Sequence, residues 1–524
     1  MIKWKAVVCW ISLSLSFTNG EFFTSLTRMK GLVRLENSLS KSLDNYLEQE
    51  SDAPEIIRQF ADYVRKESNI AAGDIEKYVF HPINSFQLLR RFIRHWRELE
   101  SYLKDGSPND LQWELFVNFP AFPTSQDFMG SISAILRIQD VYNLSARAIA
   151  DGELQQEKFN GSLDADECYE LGLVSNDQGN YEEVIEWMRE AIKRMSPPYE
   201  YSGTLTKIDV LEYLSWAEYQ VGRLDDAIIH TKDILEKDPT IKQAHINLGH
   251  FKTEQIQRNA YSNLPPKDAA NNKNKKKEDF MFTYERLCRG ESRKPRKERD
   301  KLTCFYNKNL PTQLLKPLKV EMLNLDPDLY LFRDVITDSE VEHVKKLAKP
   351  QLKRAVVTNT TTGGLLAAEY RISQSAWLED SASPIINRIS QRIQSITGLS
   401  LDPQHAEPLQ VANYGIAGHY EPHHDYIQTE DGTLPGNETG DRISTVLFYL
   451  SDVDAGGATV FLEVEEVVYP RKGDAVFWYN IGKDGRPDAK TRHAACPVIV
   501  GSKWVANKWI NERGQEFRRP CTLA

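Results

Sequence analysis

The stretch Tyr420-Glu421-Pro422-His423-His424-Asp425 sets two imidazoles and a carboxylate side by side, and its reading decides what kind of domain surrounds it. In an extended chain, residues two apart point to the same side. His423 and Asp425 therefore converge, while His424 points away from Asp425. A further histidine, His493, follows in Thr491-Arg492-His493 after enough chain for several strands. Two neutral imidazoles and one carboxylate on one face of a metal leave three coordination positions open, the facial arrangement of non-haem iron(II) oxygenases. A zinc hydrolase is the competing metal reading, but no His-Glu-x-x-His occurs. Lys503 opens the last aromatic run. A cation there suits the distal carboxylate of a dicarboxylate whose other end chelates the metal.

The surroundings read as strands. Runs at 409–414, 443–450, 458–462, 475–479 and 504–510 are short and rich in Val, Ile, Phe, Tyr and Trp. Gly456-Gly457 and Lys472-Gly473-Asp474 punctuate them. This spacing predicts a double-sheet jelly roll over residues 320–524. Helical patterns at 339–347 and 382–397 precede most of it.

Upstream the period changes. Residues 146–252 carry a helical repeat: 169–194 reads helix, Gly179-Asn180-Tyr181 turn, helix, and 210–236 reads the same way with Gly222-Arg223 at its turn. The pattern Asp225-Asp226-Ala227-Ile228, ending at Asp238-Pro239, looks like a tetratricopeptide repeat, and 243–249 resembles the opening helix of a third unit. Stacked hairpins of this kind build a concave face suited to extended peptides. Tyr181, Tyr213, Trp216 and Tyr219 lie near the helix starts and turns. Tyr213 and Trp216, three apart, share one helical face. Aromatic rims are what polyproline II segments dock against. Repeat aromatics also fill cores, which is the reading for Tyr219; Tyr213 and Trp216 are open to either.

Residues 21–145 read as helical. Phe23, Leu26, Leu32, Leu35, Leu39, Leu43 and Tyr46 recur at three- and four-residue spacing. The stripe suits a short coiled coil joining two copies of the chain or an ordinary core face, and periodicity alone does not choose. Residues 253–319 are polar and basic, with Pro265-Pro266 and lysine- and arginine-rich runs at 271–277 and 292–301, as expected of a solvated connector.

At the N-terminus, Lys3 and Lys5 precede an apolar run at 6–17 that is short for a bilayer, so residues 1–20 read as a cleaved signal peptide. No later segment is long and apolar enough to span a membrane, and the chain is expected to be lumenal or secreted. At 524 residues it is too long for one core. A net charge of −10 argues against nucleic acid as the main partner. Of the six cysteines, Cys9 falls in the leader. An oxidising compartment permits disulfides. Cys288–Cys304 would close a small loop in the connector, Cys496–Cys521 would tie back the tail, and Cys168 is expected to be a buried free thiol. Sequons stand at Asn143, Asn160, Asn359 and Asn437, with Asn143 at the end of an apolar helical run.

These residues resemble the catalytic α subunit of collagen prolyl 4-hydroxylase. The resemblance covers nearly the whole mature chain. It includes Phe22-Phe23-Thr24-Ser25, His81-Pro82-Ile83-Asn84, the tyrosine-bearing repeats, His423-His424-Asp425, Gly456-Gly457-Ala458-Thr459-Val460-Phe461, Arg492-His493-Ala494-Ala495-Cys496 and residues 513–521. It implies iron(II) on His423, Asp425 and His493, 2-oxoglutarate on Lys503 with help from Tyr414 and Thr459, and L-ascorbate as a further cofactor. It also implies a peptide groove at Tyr181, Tyr213 and Trp216, and the disulfide pairing given above. The implied fold is multidomain α + β: an N-terminal helical, coiled-coil dimerisation region, a tetratricopeptide-like peptide-binding domain, and a C-terminal double-stranded β-helix (jelly-roll) dioxygenase domain. The implied activity converts peptidyl proline in collagen-like X-Pro-Gly sequences to 4-hydroxyproline, consuming O2 and 2-oxoglutarate and releasing succinate and CO2. The implied assembly is an α2β2 tetramer with protein disulfide isomerase in the endoplasmic reticulum lumen. Three residues depart from the pattern: Trp216 stands where tyrosine is expected, Asn180 where an acid is, and His424 where an aromatic is. The chain ends Cys521-Thr522-Leu523-Ala524, without a Lys-Asp-Glu-Leu-type signal, so retention is expected to depend on the partner. A non-catalytic assembly subunit on the same fold would lack part of the triad or Lys503; both are intact.

Overall fold

The computed structural model describes residues 23, 25–103, 110–155, 157–158, 161–199, 203–260, 279–308, 314–358, 365–366, 368, 370–427 and 439–522. The leader, the runs at 261–277 and the sequons Asn160, Asn359 and Asn437 lie outside them. Asn143 is exposed at the C-cap of its helix, where φ is +51°. No helix among the described residues is long and apolar enough to cross a membrane.

The N-terminal region is helical throughout. Helix α1 (Leu26–Gln49) packs on α2 (Glu55–Gly73). The stripe of α1 is spent inside the chain: Phe23, Leu32, Leu39, Leu43 and Tyr46 are buried, and Leu26 and Leu35 pack against the same core. Of the two readings, the ordinary core face is the one observed. Glu36 interrupts that face and is buried against Arg91, whose guanidinium donates to both carboxylate oxygens at 2.8 and 2.7 Å. A buried charge of this kind is tolerable because it is fully paired.

The repeat region forms as its periodicity predicts. Helix α3 (Ser125–Tyr142) leads into α4 (Ala165–Gln178), α5 (Tyr181–Arg194), α6 (Lys207–Gln220), α7 (Leu224–Lys237) and α8 (Lys242–Ala260). Capping boxes open α4 at Asp164 and α6 at Thr206. The α4–α5 turn needs Gly179, which sits at φ +77°.

The connector is less of a connector than its composition suggests. Helix α9 (Asp279–Cys288) packs against the catalytic domain. Lys294 is 3 % exposed and bonds Glu466 at 2.8 Å, and Arg286 pairs with Glu465. Within the run that reads as solvated, Lys294 is buried with a partner, while Arg293, Arg296, Lys297, Arg299 and Lys301 stay exposed.

The catalytic domain is two facing sheets. In chain order the strands of these two sheets are β1 (Cys304–Asn307), β2 (Leu318–Leu325), β3 (Asp328–Arg333), β4 (Lys353–Arg354), β5 (Arg371–Ile372), β6 (Gln374–Leu378), β7 (Leu409–Tyr414) and β8 (His419–His423). They continue with β9 (Arg442–Tyr449), β10 (Thr459–Phe461), β11 (Glu466–Val468), β12 (Ala475–Tyr479), β13 (His493–Ala495) and β14 (Lys503–Asn511). The large sheet runs β1-β2-β3-β12-β9-β14-β7-β6-β4 and the small one β11-β10-β13-β8-β5, all antiparallel. Helices 338–348 and 384–397 cover the outer face of the large sheet.

The small sheet has helices behind it. On β10 and β13, Val460 and Ala494 share a core with α3 and α9, while Thr459, Phe461, His493 and Ala495 face inward. That is the two-residue alternation of a strand buried on both faces. Tyr142 of α3 donates to the Pro497 carbonyl at 2.6 Å. Gly456 lies beneath it: a Cβ there would stand 2.6 Å from that carbonyl and 2.8 Å from the Tyr142 hydroxyl.

This docking corrects the disulfide pattern. Cys288 bonds Cys496, with Cα atoms 5.6 Å apart across 208 residues of sequence, while Cys304 and Cys521 are exposed and free. The expected pairs Cys288–Cys304 and Cys496–Cys521 do not form. Helix α9 lies against the small sheet and delivers Cys288 beside the residue that follows β13, whereas Cys304 opens the edge strand of the other sheet. Cys168 is a buried free thiol, as expected.

Candidate active site

His423 ends β8 and His493 begins the neighbouring β13, and the two are directly opposite in register. The ladder shifts between Tyr420 and His423, which turns His423 inward. Asp425 follows on the loop after β8. His423 Nε2 lies 3.8 Å from Asp425 Oδ1, and His493 Nε2 lies 3.8 Å from Asp425 Oδ2. One ligand atom from each residue falls within 4.8 Å of the others. These gaps are too long for hydrogen bonds and short enough for one ion to bridge.

Each imidazole is set by its other nitrogen. His423 Nδ1 meets the Glu421 carbonyl at 2.7 Å, and His493 Nδ1 meets the Thr491 carbonyl at 3.0 Å. A ring that donates from Nδ1 presents a lone pair at Nε2. Burial, then the neighbouring imidazole of His493, holds His423 well below the usual histidine range, so it stays neutral. Burial would raise the Asp425 carboxyl, but His493, His423 and Arg442 outweigh it and hold it at about 2. Asp425 Oδ2 accepts from Thr445 Oγ1 at 2.8 Å. Thr445 accepts from Asn480 Nδ2 at 2.9 Å, and Asn480 Oδ1 accepts from Trp478 Nε1 at 2.7 Å. This buried relay fixes the carboxylate. Two imidazole nitrogens and an ionised oxygen, each aimed by a backbone or side-chain partner, fit iron(II). His424 turns away, as strand geometry predicts: it stacks on Tyr426 and its Nε2 meets the Ala489 carbonyl.

Lys503 opens β14, opposite Tyr414 of β7. It is 1 % exposed, and its ammonium reaches Thr459 Oγ1 at 3.1 Å, with the rings of Tyr414 and Tyr449 at 5.7 and 5.9 Å. Among the described residues no carboxylate pairs with it. Burial alone pulls its pKa down to about 7. A buried cation without a counter-ion is costly and is a ready partner for an anion. Lys503, Thr459, Tyr414 and the triad all line one pocket of about 420 Å³.

Sequence reasoning missed several walls of this pocket: Arg371, Tyr420, Asn507 and Trp509. Arg371 lies over the Tyr420 ring at 4.7 Å. No spacing signal distinguishes these from framework residues. Arg371 sits on a two-residue strand, and Asn507 and Trp509 share the inward alternation of Lys503 on β14, the one clue available.

The repeat groove is separate. Tyr213 and Trp216 line a depression of about 860 Å³, open to solvent, together with Asn176, Glu212, Gln243 and Asn247. Tyr181 does not line it; it is half-buried in the first turn of α5. Tyr169, not singled out from sequence, meets Tyr213 edge-on at 5.8 Å. Tyr219 stacks on Phe251 at 4.6 Å and is core, as read.

Three family models cover these regions in turn. Residues 25–156 match the prolyl 4-hydroxylase alpha-subunit N-terminal region, 165–256 the prolyl 4-hydroxylase peptide-substrate-binding domain, and 409–511 the 2OG-Fe(II) oxygenase superfamily. Over 536 residues the chain is 43% identical to prolyl 4-hydroxylase subunit alpha-1 of Homo sapiens, covering 99% of both. The chain belongs to the prolyl 4-hydroxylase α-subunit family. It is 38% identical over 550 residues to the alpha-2 subunit of Gallus gallus, again over 99% of both chains. Against the alpha-1 subunit of Caenorhabditis elegans it is 36% identical, covering 97% of this chain and 92% of that one. As a prolyl 4-hydroxylase α subunit it is an iron(II)- and 2-oxoglutarate-dependent oxidoreductase, and the pocket between its sheets is where donors for both meet.

Proposed function

We propose that this enzyme hydroxylates proline at C4 in collagen-like X-Pro-Gly segments, with iron(II) on His423, Asp425 and His493. The observation that carries the reading is the convergence of that triad in one pocket with a buried, unpaired Lys503. When bound, iron and 2-oxoglutarate supply the oxidising chemistry, in which O2 is consumed and succinate and CO2 leave.

The chain's own residues bind, orient and exclude. Lys503 takes the distal carboxylate of 2-oxoglutarate, and Thr459 and Tyr414 hold the ammonium and the carbon chain in place. Thr445, itself held by Asn480, keeps Asp425 aimed. Trp478 and Phe461 wall His493 away from water, and the Tyr420 ring covers His423. The groove at Tyr213 and Trp216 holds the proline-rich chain outside the catalytic pocket. Long substrates then gain from two-point attachment.

The finer assignments belong to the same proposal. L-ascorbate acts as a reductant for the iron. The chain assembles with protein disulfide isomerase as an α2β2 tetramer in the endoplasmic reticulum lumen, as a glycoprotein whose residues 1–20 are removed. Lys3, Lys5 and the apolar run after them support the leader, and the relatives' designation as α subunits supports a partner chain. Since the α1 stripe is buried, pairing of two catalytic chains falls to α2, where Ile56, Tyr63 and Ile70 are exposed at seven-residue intervals.

The test is turnover of a Pro-Pro-Gly repeat peptide with iron(II), ascorbate and disulfide isomerase supplied. Succinate is expected to form in proportion to 4-hydroxyproline. Succinate without hydroxyproline, or neither, sinks the assignment.

A further inference from the structure

The groove of the repeat region has a charge as well as a shape. On α6, Asp209, Glu212, Tyr213 and Trp216 follow one another at i, i+3, i+4 and i+7, a single stripe on the helix. Glu212, Tyr213 and Trp216 line the groove, and Trp216 is 38% exposed. Asp177 adds a carboxylate from the end of α4: after burial, the charges of Asp177, Glu212 and Asp209 raise the Tyr213 phenol. Among the described residues none of these three acids is in an ion pair. The nearby cations are committed elsewhere: Lys207 to Asp233 at 3.3 Å and Arg189 to Glu218 at 2.9 Å. The remaining polar lining is amide and hydroxyl, from Asn176, Gln243, Asn247 and Thr231. A carboxylate one helical turn from an exposed indole is an arrangement that recognises a cation, the acid by charge and the ring by its π face.

We propose that this groove selects proline-rich segments that carry a lysine or arginine, whose charge sits against the Glu212 carboxylate and the Trp216 ring. The inference rests on the reading of this groove as the place where peptide substrate docks. It adds a rule to that reading: among substrates of equal proline content, basic ones are held longer and acidic ones are turned away.

The experiment uses the full chain in its assembled form and three fluorescein-labelled Pro-Pro-Gly peptides. They are identical except for one central residue, which is Arg, Gln or Glu. Anisotropy titrations are run at low and at high salt. The Arg peptide is expected to bind about threefold tighter than the Gln peptide, and the Glu peptide about threefold weaker, as suits a part-exposed charge contact. The spread should collapse at high salt. Glu212→Gln should bring the three peptides together, the Arg peptide losing its advantage and the Glu peptide its penalty. Equal affinities in the unmodified protein overturn the inference without using any variant, as does a spread that survives Glu212→Gln. Failure of all three peptides to bind overturns the docking reading itself.

Discussion

The catalytic pocket and the repeat groove both hold parts of one substrate system, and they are built on opposite principles. The pocket draws its residues from strands far apart in sequence, buries them, and gives the Nδ1 of each liganding imidazole and Oδ2 of Asp425 an assigned partner. The groove draws its residues from adjacent helices, leaves them half-exposed, and fixes few of them by hydrogen bonds. Chemistry at a metal needs ligands held to fractions of an ångström, and only a rigid, satisfied interior supplies that. Holding a long flexible chain needs area and charge, and tolerates looseness. The two regions should therefore fail differently.

The largest contrast is expected at the metal. His493→Ala should reduce hydroxylation to background while leaving proline-rich peptide binding intact by anisotropy. Loss of both together would mean that the regions are not separable. Lys503→Ala should raise the KM for 2-oxoglutarate about 100-fold, the effect of stripping a buried carboxylate of its cation, with peptide affinity unchanged. Lys503 also makes the pocket sensitive to pH. It titrates near 7 in the free enzyme, and only its protonated form pairs with a carboxylate. Affinity for 2-oxoglutarate should therefore fall as pH rises, about tenfold per unit above pH 8, and calorimetry should show proton uptake on binding. Lys503→Arg, charged throughout, should flatten the profile if the guanidinium fits; a profile equally steep in that variant would place the titration elsewhere.

A smaller loss is expected one bond away from the metal. Thr445→Val keeps shape and removes the donor to Asp425, and should weaken iron(II) binding about tenfold, read by metal titration. The smallest effect belongs to the groove. Trp216→Ala should raise the KM for long peptides about fivefold, leave kcat alone and spare short peptides. If kcat fell instead, the groove would be part of the catalytic step.

Much of this was legible in the sequence where the signal was local. The strands at 409–414 and 475–479 agree to the residue with β7 and β12, because β-branched and aromatic runs between turns are hard to mistake. The choice of His423 over His424 came from strand alternation and agrees with the geometry. The strands that carry the histidines were not visible. His419–His423 is polar and contains a proline, and His493–Ala495 is three residues long, so each exists only because its neighbours pair with it. The disulfides failed for the same reason: proximity in sequence suggested Cys288–Cys304, while tertiary docking chose Cys496. The basic run at 292–301 shows the limit of composition, since Lys294 within it is buried in an ion pair. Stripes such as that on α1 report that a face is covered and leave open by what.

The helices behind β13 carry one consequence for anyone who would take the enzyme apart. Val460, Ala494 and Ile499 look outward from the catalytic sheets onto α3 and α9, and Cys496 is bonded to α9. A fragment cut at the start of the jelly roll would present that apolar wall to water and leave His493 on an unsupported strand. The chain has traded portability for rigidity: its oxygenase half is a room whose back wall belongs to the neighbouring house.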